Sequence, residues 1–439
     1  MSATKNIVVV EGRTCGSSQR SGRSLTGGNW PPYGSEMAES ATKSAAPMSP
    51  ELVDLRGRMR RFIDDEVIAA EPVFFEQQDR AGSAGAMVLE SLRAAAKAQG
   101  LWALGHPKEI GGGGLSFMDF VYLNEIIGRS ELGQLAVGSL SMQDSIMLYR
   151  YGSEEHQRRW LRPMVAGEIF PSVGLTEPEV AGSDPTLMRA TAHFDGDDIV
   201  VNAHKWFTTG ANSAAFTTVF AETDPDAAAH RRFSAIIVPT DSPGYEIVRV
   251  IPTMGHTGGG HCEIRLTDVR VPSTSLLGGR GEGFVIAQHR LGPGRIFHCM
   301  RWLGQAQRAF ELMCARATTR YAHGSLLSEK GEIQRYVAES AAEIQSHRLM
   351  TLDAARRMDT GDDARIEIAL IKFHGAAMLH NVIDRAIQVH GALGVSGDTP
   401  LERMYREARY ARLYDGPDEV HRASVARRLL KDPASAPWA

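Results

Sequence analysis

The chain has 439 residues, of which 43% are hydrophobic and 23% charged, with a formal net charge of −4. It is long enough for two or three domains, its scattered basic residues argue against nucleic acid as the main partner, and no apolar run approaches the ~18 residues of a membrane span. Its four cysteines show neither zinc-ligand nor disulfide spacing, which predicts no metal site and a reducing compartment, the cytoplasm or, in a eukaryote, the mitochondrial matrix.

Residues 1–47 are rich in Gly, Ser, Thr and Pro, which predicts a disordered leader, with Met37 as an alternative start. Residues 48–170 show helical periodicity and open on Ser49-Pro50-Glu51, the pattern of a helix N-terminus. The glycine run at 111–114 interrupts this pattern. Because no P-loop lysine follows the run, we interpret it as a flexible connector.

Residues 171–280 contain short β-rich runs, and Asp195-Gly196 before Ile199 is a strong hairpin signal. This region is predicted to be an antiparallel β domain. Helical periodicity returns over residues 281–439. The order of helices, strands and helices differs from a Rossmann domain, and no convincing glycine fingerprint follows a strand. The predicted fold class is therefore α+β.

Two segments in the β region have residue types suited to a cofactor. Residues 175–184 combine Gly, Ser and Thr in a turn that can present backbone N–H groups to an anion, although an ordinary loop has the same composition. Residues 205–210 place Trp206 beside Thr208, and a Trp can stack on a flat heteroaromatic ring. A tryptophan packed in the core of the sheet is the alternative.

Two segments in the C-terminal region have charged residues at predicted helix starts. Arg295 follows Leu-Gly-Pro-Gly, where it would suit a phosphate or an amide carbonyl, or would be a solvated surface side chain. Asp415 precedes Gly416 and Pro417, and the acids that follow predict a helix with Pro417 in its first turn. By itself, Asp415 is either the N-cap of that helix or a catalytic carboxylate.

Taken together and in order, these segments resemble the acyl-CoA dehydrogenase family over nearly the whole chain from residue 50. The five matching segments are residues 176–184 (Thr-Glu-Pro-Glu-Val-Ala-Gly-Ser-Asp), 205–208 (Lys-Trp-Phe-Thr), 266–272 (Leu-Thr-Asp-Val-Arg-Val-Pro), 281–284 (Gly-Glu-Gly-Phe) and 388–394 (Gln-Val-His-Gly-Ala-Leu-Gly). The resemblance implies an N-terminal helical domain, a middle antiparallel β domain and a C-terminal four-helix bundle, assembled as a homodimer or homotetramer.

The resemblance also implies a bound FAD and an acyl-CoA substrate. The positions that match the family's flavin contacts are Leu175, Thr176, Ser183, Trp206 and Thr208, with Arg320, Gln388 and Gly391 reaching the FAD of a neighbouring subunit. The positions that match its contacts with the CoA thioester are Ser183, Arg295 and Gly416. An electron-transferring flavoprotein is the implied electron acceptor.

The implied reaction is α,β-desaturation, in which a carboxylate removes the α proton while the flavin accepts a hydride. Most of the family has Glu at the base position, whereas this chain has Asp415 followed by Pro417 in place of Thr. A second base position used by some members falls on Gly294, which cannot serve, and Ala392 replaces a glycine. These departures resemble a subgroup whose animal members act on long or 4-hydroxylated acyl chains.

Two other functions fit the same residues. Nitroalkane oxidases share the implied fold and use an Asp base on a small substrate without CoA, although Arg295 favours CoA. A catalytically idle, flavin-binding assembly factor is the other alternative, and the retained carboxylate at Asp415 argues against it.

Overall fold

The first helix begins at the predicted position. In the computed structural model, which describes residues 48–81, 86–254, 260–362 and 364–437, α1 (Pro50–Arg61) starts directly after Ser49. It buries Leu52 and Met59, two of the apolar residues whose spacing predicted it. The leader predicted for residues 1–47 lies outside the described residues.

Further helical segments complete the N-terminal part. They are a π-helical turn (Phe62–Val67), α2 (Ile68–Ala81), α3 (Ala86–Ala98), α4 (Phe117–Ile127), α5 (Gly133–Ala136), α6 (Met142–Tyr151), α7 (Glu154–His156), a second π-helical turn (Gln157–Leu161) and α8 (Arg162–Ala166). Between α3 and α4, the glycine run is a packed turn rather than a flexible connector. The Gly114 amide donates to the His106 carbonyl at 2.8 Å, and a Cβ on Gly112 would lie 2.2 Å from that oxygen.

The middle of the chain is one eight-stranded sheet. Its strands are β1 (Pro171–Gly174), β2 (Thr191–Asp195), β3 (Asp198–Thr209), β4 (Phe216–Glu222), β5 (Phe233–Pro239), β6 (Tyr245–Val250), β7 (His261–Pro272) and β8 (Leu276–Leu277). The order is β6-β7-β3-β2-β4-β5-β8, with β1 beside β4. Most neighbours are antiparallel, but β1 and β2 both pair with β4 in parallel.

Side-chain alternation along β4 explains why both faces of the sheet are buried. Phe216 and Phe220 pack toward the N-terminal helices, in contact with Trp160, whereas Val219 and Ala221 pack into a second core on the opposite face. The predicted hairpin joins β2 to β3 through the two residues after Asp195, and Gly196 supplies the positive φ of +63° that this turn requires.

Long helices form the C-terminal part. They are α9 (Gly283–Thr319), α10 (Gly331–Asp359), α11 (Arg365–His390), α12 (Leu401–Ala411) and α13 (Asp418–Lys431), with the short strands β9 (Tyr321–Ala322) and β10 (Ser325–Leu326) after α9. One apolar core joins these helices to α4 across the contact of Phe120 with Phe297. The predicted α+β fold, with helical terminal parts around a middle sheet, is confirmed.

One described segment, Arg365–Val395, is long and apolar enough by length and composition to cross a membrane. It is α11 with the turn that follows, and residues such as Ile371, Leu379 and Ile383 are buried in the protein core. Its apolar character is therefore explained by its central place in the helical bundle.

Candidate active site

Asp415 lies in the short loop between α12 and α13. Its φ of +53° is in the left-handed region, and Gly416 follows with a φ of +103°. A Cβ on Gly416 would lie 2.7 Å from the His421 ring, so this position requires glycine. A strained backbone at a non-glycine residue is often found at functional sites.

Three side chains hold this loop through its carbonyl oxygens. Nε of Arg295 donates to the Asp415 carbonyl at 3.0 Å, and Nε2 of His421 donates to the same oxygen at 3.1 Å. Nζ of the buried Lys372 donates to the carbonyls of Ala411 at 2.8 Å and Gly416 at 3.4 Å. These bonds fix the backbone of residue 415 and leave its carboxylate for other contacts.

The carboxylate of Asp415 is mostly buried, with 16% of the side chain exposed. Its Oδ2 lies 3.2 Å from Nε2 of His298, but off the direction of a well-aligned hydrogen bond, so this buried oxygen has no such partner among the described residues. Burial alone would raise the pKa of Asp415, yet His298, Arg290 and Arg295 outweigh it and hold this pKa well below its usual range. The group is therefore ionised at neutral pH.

The structure excludes the alternative that Asp415 caps the next helix. Helix α13 begins at Asp418, its N-cap is Pro417, and no side chain caps it. Pro417 therefore lies one position earlier than its predicted place in the first turn. The buried Asp418 instead pairs with Arg412, at 2.8 Å.

Arg295 does not lie at a helix start, contrary to the sequence interpretation. It lies inside α9, which begins at Gly283 and continues through Pro293. Burial of Ile296, Phe297 and Met300 in the main core supports the helix across this proline. Arg295 is half-buried and bonded to the Asp415 loop, so it is not a solvated surface residue.

A bulge in β3 presents Trp206 and Thr208 at the end of the sheet. The pairing of β3 with β7 shifts between Lys205 and Thr208, and Phe207 takes a left-handed φ of +49° there. Nε1 of Trp206 and Oγ1 of Thr208 are buried and have no hydrogen-bond partner within the described part of the chain. Such orphaned groups call for a polar ligand, and a flat heteroaromatic cofactor would satisfy both.

A buried ion pair holds the 175–184 loop against β3. Nζ of Lys205 donates to Oε1 of Glu177 at 2.8 Å and to the Leu175 carbonyl at 3.1 Å, with neither charged side chain exposed by more than 1%. The Trp206 amide also donates to the Thr176 carbonyl at 3.0 Å. Leu175 and Thr176 therefore lie beside Trp206, as their predicted common site requires, while Ser183 is exposed farther along the loop.

A cavity of about 310 Å³ lies between the sheet and the helices. His261 of β7, which bonds Thr209 of β3 at 2.9 Å, lines it on the sheet side, and His298, Trp302 and Tyr414 line it on the helical side. The structure therefore brings the start of β7, which pairs there with the end of β3, and the Asp415 loop to two sides of one space.

Arg320, Gln388 and Gly391 do not join this site within one chain. All three are exposed near the C-terminal ends of α9 and α11. Arg320 is 22 residues beyond His298 along α9, which corresponds to about 33 Å of helix. They remain predicted contacts to a neighbouring subunit's FAD, for which their exposure is suitable.

Sequence reasoning assigned no role to His298, Lys372, His421 or the pair of Lys205 and Glu177. Lys205 and Glu177 are within two of the matched segments. Their opposite charges in a β-rich region could have indicated an ion pair between these segments. His298 is three residues after Arg295, which places both on one face of a helix. Nothing local in the sequence marks Lys372 as a partner of the Asp415 loop.

Three domain profiles of the acyl-CoA dehydrogenase family match the chain: the N-terminal domain over residues 49–168, the middle domain over 172–269 and the C-terminal domain over 281–430. Probable acyl-CoA dehydrogenase FadE2 of Mycobacterium tuberculosis is 43% identical over 87% of this chain and 96% of its own length. Acyl-CoA dehydrogenase family member 10 of Mus musculus is 40% identical over 88% of this chain, which spans 37% of that longer protein.

Among solved structures, a putative acyl-CoA dehydrogenase from Mycobacterium abscessus superposes with a TM-score of 0.83 at 38% identity. The match covers 89% of this chain and all of the other. The family binds FAD, and the orphaned polar atoms of Trp206 and Thr208 fit that cofactor. The chain belongs to the acyl-CoA dehydrogenase family and is a flavoprotein oxidoreductase.

Proposed function

We propose that this enzyme desaturates the α–β bond of acyl-CoA thioesters with Asp415 as the base. The observation that carries the proposal is a mostly buried, ionised carboxylate whose neighbours Tyr414 and His298 line the cavity between the helices and the sheet. A base must lie within hydrogen-bond reach of the proton it removes. Three side chains fix the loop that carries Asp415, which is the preorganisation that such a role requires.

Bound FAD supplies the acceptor for the hydride that leaves the β carbon. The α proton passes to the Asp415 carboxylate, and the electron pair of the broken C–H bond forms the new double bond. Trp206 and Thr208 would hold the flavin ring, and Thr176 with Ser183 would hold its more polar parts. Arg295, Ser183 and Gly416 would hold the thioester and the CoA, so that the acyl carbons lie at the base.

Asp415 is one methylene shorter than the Glu found at this position in most of the family, a difference in reach of about 1.5 Å. The left-handed backbone at Asp415 and Gly416 and the fixed φ of Pro417 set the direction of this shorter side chain. We propose that the loop geometry compensates for the missing methylene.

The lining of the cavity favours an acyl chain with a polar substituent. Its polar side chains include Glu131, Gln134, His298, Arg301, Gln305 and Glu407. An entirely aliphatic chain would remove water from these groups without replacing their hydrogen bonds, which is costly. The resemblance is to a subgroup whose animal members act on long or 4-hydroxylated chains, and of these two this lining favours hydroxylated acyl-CoA over the saturated, unsubstituted compound.

Oxidation of a small substrate without CoA is the second candidate, because an Asp base and a polar cavity would also suit it. Anaerobic bleaching of the flavin by a panel of acyl-CoA, hydroxyacyl-CoA and nitroalkane substrates separates the two candidates. Bleaching by an acyl-CoA supports the proposal, and bleaching by nitroalkanes alone overturns it. Absence of bleaching by every compound, in a protein that holds FAD, would favour the idle assembly factor.

The remaining parts of the proposal concern the partners. We propose that electrons pass to an electron-transferring flavoprotein in the cytoplasm, or in the mitochondrial matrix of a eukaryote. We also propose a homodimer or homotetramer, because the exposed Arg320, Gln388 and Gly391 would then reach the FAD of a neighbouring subunit. Analytical ultracentrifugation of the FAD-loaded protein tests the assembly, and a monomer would overturn this part.

A further inference from the structure

Two successive turns of α9 contact residue 415. Arg295 donates to its backbone carbonyl, and His298, three residues later on the same helix face, lies 3.2 Å from its carboxylate. The main chain of Asp415 is thus held, and its carboxylate faced, from one rigid element. Arg295 accounts for the position of the loop, and His298 is the side chain of α9 next to the carboxylate.

The protonation of His298 follows from its other partner. Nη2 of Arg301 lies 2.8 Å from Nδ1 of His298, and because a guanidinium can only donate, Nδ1 must accept. The single proton of the neutral ring is then on Nε2, the nitrogen that faces Oδ2 of Asp415. Burial and the charge of Arg301 lower the pKa of His298 to about 4, so the ring is neutral at neutral pH.

Neighbouring groups hold the ring of His298 in place. It stacks on Trp302 with an interplanar angle of 27°. The amide nitrogen of Gln143 lies 3.4 Å from Nε2, and because both nitrogens then carry protons, this is a packing contact and not a hydrogen bond. Gln143 occupies the space above Gly294, where an added Cβ would lie 2.1 Å from its amide nitrogen. The position at which some relatives of this fold carry a second base is therefore filled by the side chain that contacts His298.

We propose that His298 is a positioning residue for the base: its Nε2–H holds Oδ2 of Asp415, which leaves Oδ1 for the α proton of the substrate. The proposal rests on the proposed function, in which Asp415 is the base. Oδ1 has no hydrogen-bond partner within the described ranges. Contacts that are poorly aligned without substrate commonly tighten in the complex, and a small rotation of either group would align this one.

The groups around Asp415 set the balance between its charged and its neutral form. The groups that interact with it are Arg290, Arg295, His298, Cys299 and Arg301 on α9, Lys372 on α11, Tyr414 in the loop, and His421 on α13. Burial acts to raise the pKa of the carboxylate, and His298 is the largest of the groups that lower it. Removal of His298 should therefore favour protonation of Asp415 as the pH falls.

The test compares three variants of the FAD-loaded enzyme. His298→Leu removes the donor, His298→Gln retains an N–H near the position of Nε2, and His374→Leu is the control on α11, where His374 stacks on His347 away from the base. For His298→Leu we expect flavin reduction about ten- to a hundredfold slower. Affinity for an unsubstituted acyl-CoA, whose chain makes no hydrogen bond to His298, should stay within about twofold of the wild type. His298→Gln should recover much of this rate, and His374→Leu should retain all of it.

The pH profile separates positioning from a general structural effect. The acid limb of flavin reduction should move to higher pH by about one unit in His298→Leu and remain in place in the control. Infrared difference spectra of the substrate-free protein, with Asp415→Asn as the blank, should show the carboxylate protonating at correspondingly higher pH. If His298→Leu does not fold, Arg301→Met should give a smaller change in the same direction, because the ring proton is then free to move to Nδ1.

The outcomes distinguish the two proposals. If Asp415→Asn is inactive but His298→Leu retains the wild-type rate and acid limb, the positioning role is wrong and the base assignment stands. If Asp415→Asn still reduces its flavin at the native rate, the proposed function itself fails. An equal loss of rate in His298→Leu and His298→Gln without a shift of the acid limb would also overturn the positioning role.

Discussion

Nε of Arg295 donates a 3.0 Å hydrogen bond to the backbone carbonyl of Asp415, 120 residues away in the sequence. Only this one nitrogen of the guanidinium is used, and within the described ranges its two terminal nitrogens have no hydrogen-bond partner. Arg295 can therefore anchor the loop that carries the base and also bind the substrate. The family resemblance predicted the second function, and the structure adds the first.

Replacement of Arg295 should affect both functions. Loss of a charge-assisted hydrogen bond typically costs roughly 1.5–3 kcal/mol, so Arg295→Ala should weaken acyl-CoA binding by about one to two orders of magnitude. Flavin reduction should also slow, because the loop loses an anchor. Arg295→Lys keeps the charge but not the planar guanidinium group. It should therefore restore acyl-CoA affinity or the rate of flavin reduction, but not both. A folded Arg295→Ala protein with native affinity and rate would contradict both functions.

Asp415→Asn should separate binding from chemistry. The amide nearly preserves the shape of the side chain but cannot accept the α proton, so FAD and acyl-CoA should still bind while anaerobic flavin bleaching is abolished. Asp415→Glu should keep at most partial activity, because the added methylene must fit the mostly buried site. Bleaching at the native rate in the Asn variant would show that the base lies elsewhere.

Thr208→Val should have opposite effects on the apoprotein and on cofactor binding. Oγ1 of Thr208 is buried without a partner, so its removal should leave the apoprotein equally stable or about 1 kcal/mol more stable. FAD affinity should fall, because the hydroxyl is predicted to contact the flavin. Thr218→Val is the matched control, since Thr218 on β4 also has a buried, unpaired hydroxyl. Thermal unfolding of the apoproteins and FAD titration measure both effects, and equal FAD affinity in the two variants would remove Thr208 from the site.

Arg320→Ala should weaken FAD retention and the oligomer together. Arg320 is exposed at the end of α9, about 33 Å along that helix from His298, so its predicted contact is with the flavin of a neighbouring subunit. The control is Arg335→Ala, because Arg335 is exposed on α10 and paired with Glu332 and Glu339 of its own helix. Flavin content after gel filtration and sedimentation velocity test the prediction. Unchanged values for both would exclude Arg320 from the cofactor site.

Glu131 should make stability fall as the pH rises toward 7. Burial and the nearby Glu407 raise its pKa from 4.5 to about 7, while Arg403 opposes them. The folded state therefore retains a proton that the unfolded chain loses above pH 4.5, so this contribution is complete below pH 4.5 and is lost as the pH rises through 7. It should amount to roughly 3 kcal/mol, since each pKa unit corresponds to about 1.4 kcal/mol.

Glu131→Gln should lack this pH dependence. Its melting temperature should therefore fall less than that of the wild type between about pH 5 and about pH 8. These two pH values lie below and above the pKa of Glu131 in the folded protein. Glu419→Gln, at an exposed position on α13, serves as the control. Parallel curves for wild type and Glu131→Gln would show that Glu131 does not titrate in this range.

The local sequence pattern was sufficient to predict the order of helices and strands along the chain. The helix start at Pro50, the hairpin after Asp195 and the succession of helices, strands and helices depend on periodicity and turn chemistry that neighbouring residues determine. The ordered segments identified the family and its cofactor. They also marked Asp415, whose neighbours Tyr414 and His298 line the space between sheet and helices, and Trp206 and Thr208, whose buried polar atoms have no partner among the described residues.

Only the tertiary structure decided how these residues meet. Arg295 lies inside a helix because core burial outweighs the cost of Pro293, and the N-cap position of α13 is occupied by Pro417 rather than Asp415. The contact of His298 with Asp415 joins residues that no local pattern relates. Such contacts depend on the rotation and packing of whole helices against one another, which side-chain spacing along one segment does not specify. The sequence by itself therefore determined which groups the enzyme has, and the packing of α9 against the Asp415 loop decided what each group faces.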